Sequence, residues 1–226
     1  MRNLEILAAL FLFLSILWLM FPTRSRWMNF LPAVALLVVL VQVLFEGYRW
    51  QMVPIYAYTL LLFLFSILSL LKPRKKTTTA LWKRLAGGFI LLVLFAVTCA
   101  LPILLPIPHL PPASGPYKVG TFSMMLTDKS RKDQRKIMIQ VWYPAEPRAG
   151  DKIAPWMERS DIISPAISRY LELPSFFLDH LKYANTEAYL DAPVSRAQAT
   201  FPVLLFSHGW NGFRAQNTFQ VINFAS

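Results

Sequence analysis

Four apolar runs in the first 105 residues constrain this chain more than any other feature. They span residues 4–21, 27–45, 53–71 and 85–105, close to the about 20 residues that a helix needs to cross a bilayer. In hydrocarbon, backbone polar groups must find partners within the protein, and a single apolar run does so as a helix. The runs therefore predict four transmembrane helices. Glu5 lies at the edge of the first run, where a charge costs less than at the centre, and Gln42 is the one strongly polar side chain inside the second. Trp18, Trp27, Trp50 and Trp82 fall near run ends, as amphipathic rings at an interface do. Pro102 and Pro106 close the last run. Arg2 ahead of the first run imitates a secretory signal, but no small-residue cleavage site follows and a second span begins almost at once.

Charge is distributed to match. The chain has 23 Lys and Arg against 12 Asp and Glu, a formal net charge of +11. Ten of the basic residues but only two of the acids lie in residues 1–114. The excess flanks apolar runs and accompanies no nucleic-acid-binding motif, so the expected partner is membrane lipid and not nucleic acid. The first loop carries Arg24 and Arg26, and the third carries Lys72, Arg74, Lys75, Lys76, Lys83 and Arg84. The N-terminus and second loop carry only Arg2 and Arg49. Positive residues favour the cytoplasmic face, which places the first and third loops inside. A multi-pass protein of the cell membrane is expected, with everything after Leu105 on the extracellular or periplasmic side. The cluster at 72–76 also suits anionic headgroups, although topology accounts for it equally well. Run interiors nearly free of ionisable groups favour an anchor over a transporter.

Cys99 is the one cysteine and sits in an apolar run, as a small buried hydrophobe would. His109, His180 and His208 are scattered, without zinc spacing, and no metal or cofactor is expected.

Residues 106–114 form a proline-rich linker around Pro106, Pro108, Pro111 and Pro112, which cannot continue a helix and favours an extended path. Residues 115–226 then read as a mixed α and β region. Strands are expected over 117–126, with Gly120 as a bulge, and over 136–143, where Ile137, Ile139 and Val141 alternate with Met138, Gln140 and Trp142. Ser164 and Pro165 suit an N-cap and first turn, with Ile167, Tyr170 and Leu171 at helical spacing, and Pro174 restarts a short helix through Leu181. Residues 203–206 are continuously apolar and read as a strand buried on both faces of a parallel sheet. Residues 216–226 read as a helix packing back on it, through Phe219 and Ile222.

Between that strand and helix lies His208-Gly209-Trp210-Asn211-Gly212. A glycine-rich turn after a buried strand lets a backbone approach a substrate closely, and backbone N–H groups held there stabilise the negative oxygen formed in acyl transfer. An α/β-hydrolase builds half of its oxyanion hole in this way. His208 reads as a turn-shaping residue and not as the catalytic base, which comes last in chain order in such enzymes. Ser207 lacks the Gly-x-Ser-x-Gly surround of a nucleophile.

Three further pieces accompany the turn: Gly115-Pro116-Tyr117-Lys118-Val119-Gly120, Gln140-Val141-Trp142-Tyr143-Pro144-Ala145, and the approach Tyr189-Leu190-Asp191-Ala192-Pro193 ahead of Phe201-Pro202-Val203-Leu204-Leu205-Phe206-Ser207-His208-Gly209. With these, residues 115–226 resemble the platelet-activating-factor acetylhydrolase family and the neighbouring dienelactone-hydrolase-like esterases. The resemblance implies a serine, aspartate and histidine triad, and hydrolysis of short acyl groups from phospholipids or related esters. It makes the Trp210 backbone N–H one oxyanion donor, supported by His208, Gly209, Asn211 and Gly212. It puts the second donor and all three triad residues after Ser226, so residues 1–226 alone are expected to be inactive. The fold expected overall is a four-helix transmembrane region followed by the N-terminal part of an α/β-hydrolase domain. The alternative is a non-catalytic membrane protein whose soluble half binds a partner chain.

Overall fold

The computed structural model describes residues 1–21, 26–71 and 81–226, and every structural statement below concerns these. Arg24 and the basic cluster at 72–76 lie outside them. The chain forms two compact units, Met1–Pro106 and Ile107–Ser226.

In the first unit, α1 (Asn3–Met20), α2 (Leu31–Glu46), α3 (Val53–Leu71) and α4 (Leu81–Leu104) replace the four apolar runs. All four are long and apolar enough to cross a membrane. Short 3₁₀ segments, Arg26–Phe30 and Trp50–Met52, lead into α2 and α3. Leu12, Ile16, Met52, Ile55 and Leu62 form the bundle core, with Cys99 buried among them. Hydroxyl groups in the helices fold back on their own turns: Ser15 Oγ donates to Phe11 O and Thr59 Oγ1 to Ile55 O. Gln42 is satisfied at both ends of its amide, donating to Gly47 O and accepting from the Tyr56 hydroxyl. Pro102 does not close α4, which runs on to Leu104. A proline lacks one N–H, and membrane helices absorb that loss when the next turn is intact, as it is where Leu105 N donates to Leu101 O.

The second unit holds a four-stranded mixed sheet in the order β2-β1-β4-β3. Its strands are β1 (Lys118–Thr127), β2 (Lys136–Ala145), β3 (Ile153–Pro155) and β4 (Asn185–Leu190). β1 and β2 pair antiparallel over their whole length, from Lys118 opposite Ala145 to Thr127 opposite Lys136. The register never slips, so Gly120 is not a bulge. It is small because the Tyr143 ring lies across it, only 2.6 Å from where a Cβ would stand. That ring is held by a hydrogen bond from its hydroxyl to Ala192 O at 2.7 Å. β4 runs parallel to β1 and antiparallel to β3. At its end Asp191 takes a left-handed conformation and donates its N–H to Thr121 O, turning the chain across the end of β1. Ala145 and Val194 then form a bridge.

Helix α5 (Ser160–Tyr170) starts a full turn earlier than Ser164-Pro165 suggests. The early turn is secured by Arg159 O, which accepts from both Ile162 N and Ile163 N, and Pro165 lies in the interior. The segment after Pro174 forms turns and a 3₁₀ helix, Asp179–Tyr183, in place of an α-helix. Helix α6 (Thr218–Ala225) packs Ile222 against Val119, Ala154 and Ala188, as its spacing predicts, while Phe219 stays largely exposed. Its end is tied to the start of the unit: Tyr117 N donates to Ser226 O and Gly115 N to Ser226 Oγ.

Residues 203–206 depart most from the sequence reading. They form no strand and are exposed, Leu205 by 98%. Their pattern is that of a doubly buried strand, but a strand exists only through its ladder. β2 and β4 already occupy both sides of β1, and β1 and β3 both sides of β4. Among the described residues, no interior place on the sheet is left.

Candidate oxyanion turn and a buried charge cluster

The residues singled out for oxyanion binding form one tight turn. Gly212 N donates to Gly209 O at 2.9 Å, with Trp210 and Asn211 at its tip. His208 Nδ1 lies 2.9 Å from Gly209 O, inside the turn. Gly212 answers to crowding: a Cβ there would stand 3.0 Å from His208 Cβ and 3.2 Å from Gly209 O. Trp210 is 99% exposed, and among the described residues its amide donates to no acceptor. The N–H is therefore held in neither a helix nor a ladder.

The sequence following the turn is firmly mounted. Trp156 Nε1 donates to Ala215 O at 3.0 Å, and the Trp156 and Phe213 rings meet edge to face at 6.4 Å. Arg214 pairs with Glu158 at 2.9 Å, and the Thr218 hydroxyl donates to Ala215 O to begin α6. The turn thus has one fixed shoulder, at 213–218, and one exposed shoulder, at 203–206. A polar cavity of about 350 Å³ lies elsewhere, bordered by Tyr117, Thr186, Glu187 and Tyr189. Residues 208–212 take no part in its lining.

In acyl transfer such a turn can supply one preorganised donor. The nucleophile, base and second donor are not brought beside Trp210 by any described element. No Gly-x-Ser-x-Gly occurs in the chain.

A second constellation sits at one end of the helix bundle. Glu5 and Arg49 are fully buried, and Arg49 Nη1 reaches both carboxylate oxygens, at 3.0 and 2.8 Å. Arg49 Nη2 donates to Leu105 O at 2.6 Å, just past the end of α4. Arg2 binds Glu5, the Gly47 carbonyl and the Glu46 carbonyl. Glu46 Oε1 in turn accepts from Leu4 N. Glu5 is therefore not a tolerated charge at a span edge, and Arg49 is not a solvated loop residue. Both belong to a four-charge knot that draws the N-terminus, the α2–α3 connection and the end of α4 together. The sequence held the clue: Glu5 and Glu46 are the only acids of residues 1–114, and the even spans put them on the same side as Arg2 and Arg49.

A mixed sheet with covering helices and a glycine-bounded turn after an apolar run define part of an α/β-hydrolase. The family model of platelet-activating factor acetylhydrolase, isoform II, matches residues 106–226, and the chain belongs to this family of serine esterases. The match begins at Pro106 and so includes the proline-rich segment. No curated protein and no solved structure gives a significant match.

Proposed function

We propose that this chain anchors a carboxylic ester hydrolase in the cell membrane and supplies its first oxyanion donor, the Trp210 N–H. The substrates are short acyl esters of phospholipids or related lipids, drawn from the bilayer that the four helices occupy. The serine nucleophile, its aspartate and histidine, and the second donor come from sequence following Ser226. His208, Gly209, Asn211 and Gly212 hold the turn. Membership of the esterase family over 106–226 carries this reading, and the free, uncommitted Trp210 amide supports it.

The catalytic unit is proposed to lie on the extracellular or periplasmic side. Loop charge supports this orientation. The first and third loops carry eight Lys and Arg, against two in the N-terminus and second loop. Lys and Arg in short loops favour the cytoplasmic face.

The test has two stages. The coding DNA past codon 226 should continue in frame to Gly-x-Ser-x-Gly, then Asp, then His. The product of the whole frame should then hydrolyse nitrophenyl acetate and be stopped by a serine-directed reagent. Inhibitor-sensitive turnover by residues 1–226 alone would sink the division of labour proposed here. The exposed run at 203–206 favours one second reading, a membrane protein whose soluble half is completed by another chain. A stop codon directly after 226 would favour it.

A further inference from the structure

The bundle encloses a groove that the ester chemistry does not use. It has a volume of about 790 Å³ and runs between α3 and α4, with the end of α1 beside it. This is within the range of about 300–1,000 Å³ typical of small-ligand sites. Its α4 wall extends from Lys83 to Thr98, about 22 Å at 1.5 Å per residue. Leu61, Phe65, Gly87 and Leu91 line its length; its two cations stand at one end, while Tyr58 lies along it and Thr98 at the other end.

That end carries Lys83 and Arg84. Arg84 spends one donor on Met20 O, the last carbonyl of α1, at 2.8 Å, and has four more. Lys83 rests over the exposed Trp82 ring, 5.6 Å from its centroid. Neither cation is paired with a carboxylate among the described residues. The first 114 residues offer no remedy: their two acids, Glu5 and Glu46, are consumed in the knot near the start of α1. From Glu5 to Met20 along α1 is about 23 Å, most of the hydrocarbon thickness. The counter-charge at Lys83 and Arg84 must come from outside the bundle, at headgroup depth, and an apolar slot of acyl-chain proportions leads away from it.

We propose that this groove holds one anionic phospholipid. Its phosphate sits at Lys83 and Arg84, and one acyl chain lies along Leu61, Phe65, Gly87 and Leu91. Gly87 leaves the slot open, since a Cβ there would meet nothing within 4 Å. The site is independent of the ester hydrolysis proposed above.

The experiment uses the whole chain reconstituted in nanodiscs of equimolar phosphatidylglycerol and phosphatidylcholine, extracted into mild detergent. Native mass spectrometry then counts the retained lipids. One phosphatidylglycerol per chain is expected, in preference to phosphatidylcholine. Lys83→Gln should lower its retention about fivefold, the effect of one surface cation on an anionic headgroup. Gly87→Leu should displace the lipid while leaving the bundle's melting temperature in place. Arg84→Gln also releases the end of α1, so Lys83→Gln is the deciding variant. Excess glycerophosphate should displace nothing, because it lacks the chain. Equal retention of both lipids, unchanged retention in Lys83→Gln, or displacement by glycerophosphate would each overturn the proposal.

Discussion

Glu5 and Arg49 show how much one partner matters to a buried charge. Each is shielded fully, and each is tolerable only because the other is there. Removing one member of such a pair strands the other and costs about 3–5 kcal/mol. Arg49→Met should therefore lower the thermal stability of the detergent-solubilised chain sharply. Adding Glu5→Gln should restore part of the loss, and a double variant no better than the single one would contradict this coupling. Gly212 poses a problem of space in place of charge. Gly212→Val forces a side chain against His208 and Gly209 O and should spoil the turn. In the esterase proposed above the expected result is a fall in kcat of about 100-fold, the effect of losing one oxyanion donor. The KM for nitrophenyl acetate should change far less.

Glu146 gives a residue-scale dependence on pH. Its carboxylate accepts from the Arg196 backbone N–H at 2.8 Å and the Ser195 hydroxyl at 3.0 Å. These bonds, the backbone one first, hold its pKa below the usual glutamate value. A carboxyl depressed on folding stabilises the fold above its unfolded pKa, about 4.3, and loses that contribution as pH falls through the folded value. The difference in unfolding midpoint between the parent and Glu146→Gln should be full near neutrality and close in acid. A difference that persists in acid would mean that the bonds act without the charge.

At the scale of elements, the β1–β2 hairpin and the run at 203–206 make an instructive contrast. Both are apolar and β-prone. The hairpin builds its own ladder through a polar turn, so local sequence suffices. Residues 203–206 need a neighbour supplied from elsewhere, and they stand open with Val203, Leu204 and Leu205 in solvent. An unpaired apolar edge invites self-association. Leu205→Lys should reduce association of the chain, read as a smaller species in sedimentation. If association is unchanged, the run is not the adhesive element. Helix α6, by contrast, forms beyond the gap because Ile222 has its own core to enter, Trp156 pins Ala215 and Glu158 pairs with Arg214.

For the molecule as a whole, the four long apolar helices were legible from hydropathy, and the hydrolase family from short motifs that resemble it. The identity of the turn residues was legible too, because glycine spacing reports backbone geometry directly. Of the charge knot only a clue was legible, two acids on the side of Arg2 and Arg49; its pairing and the mounting of 213–218 were not, since both join residues far apart in sequence. Gly120 was misread because its cause is the Tyr143 ring on the neighbouring strand. Pro165 was misplaced because a helix can start ahead of a proline when an earlier carbonyl secures its first turn.

By itself the sequence determined four membrane helices, a β hairpin and a glycine-bounded turn, because each is settled by interactions among near neighbours or with the solvent. Tertiary structure alone decided that Glu5 is paired and that, among the described residues, Lys83 and Arg84 meet no carboxylate and 203–206 has no ladder. A charge or a strand edge takes its energy from whatever lies opposite, and what lies opposite is a matter of how distant segments meet.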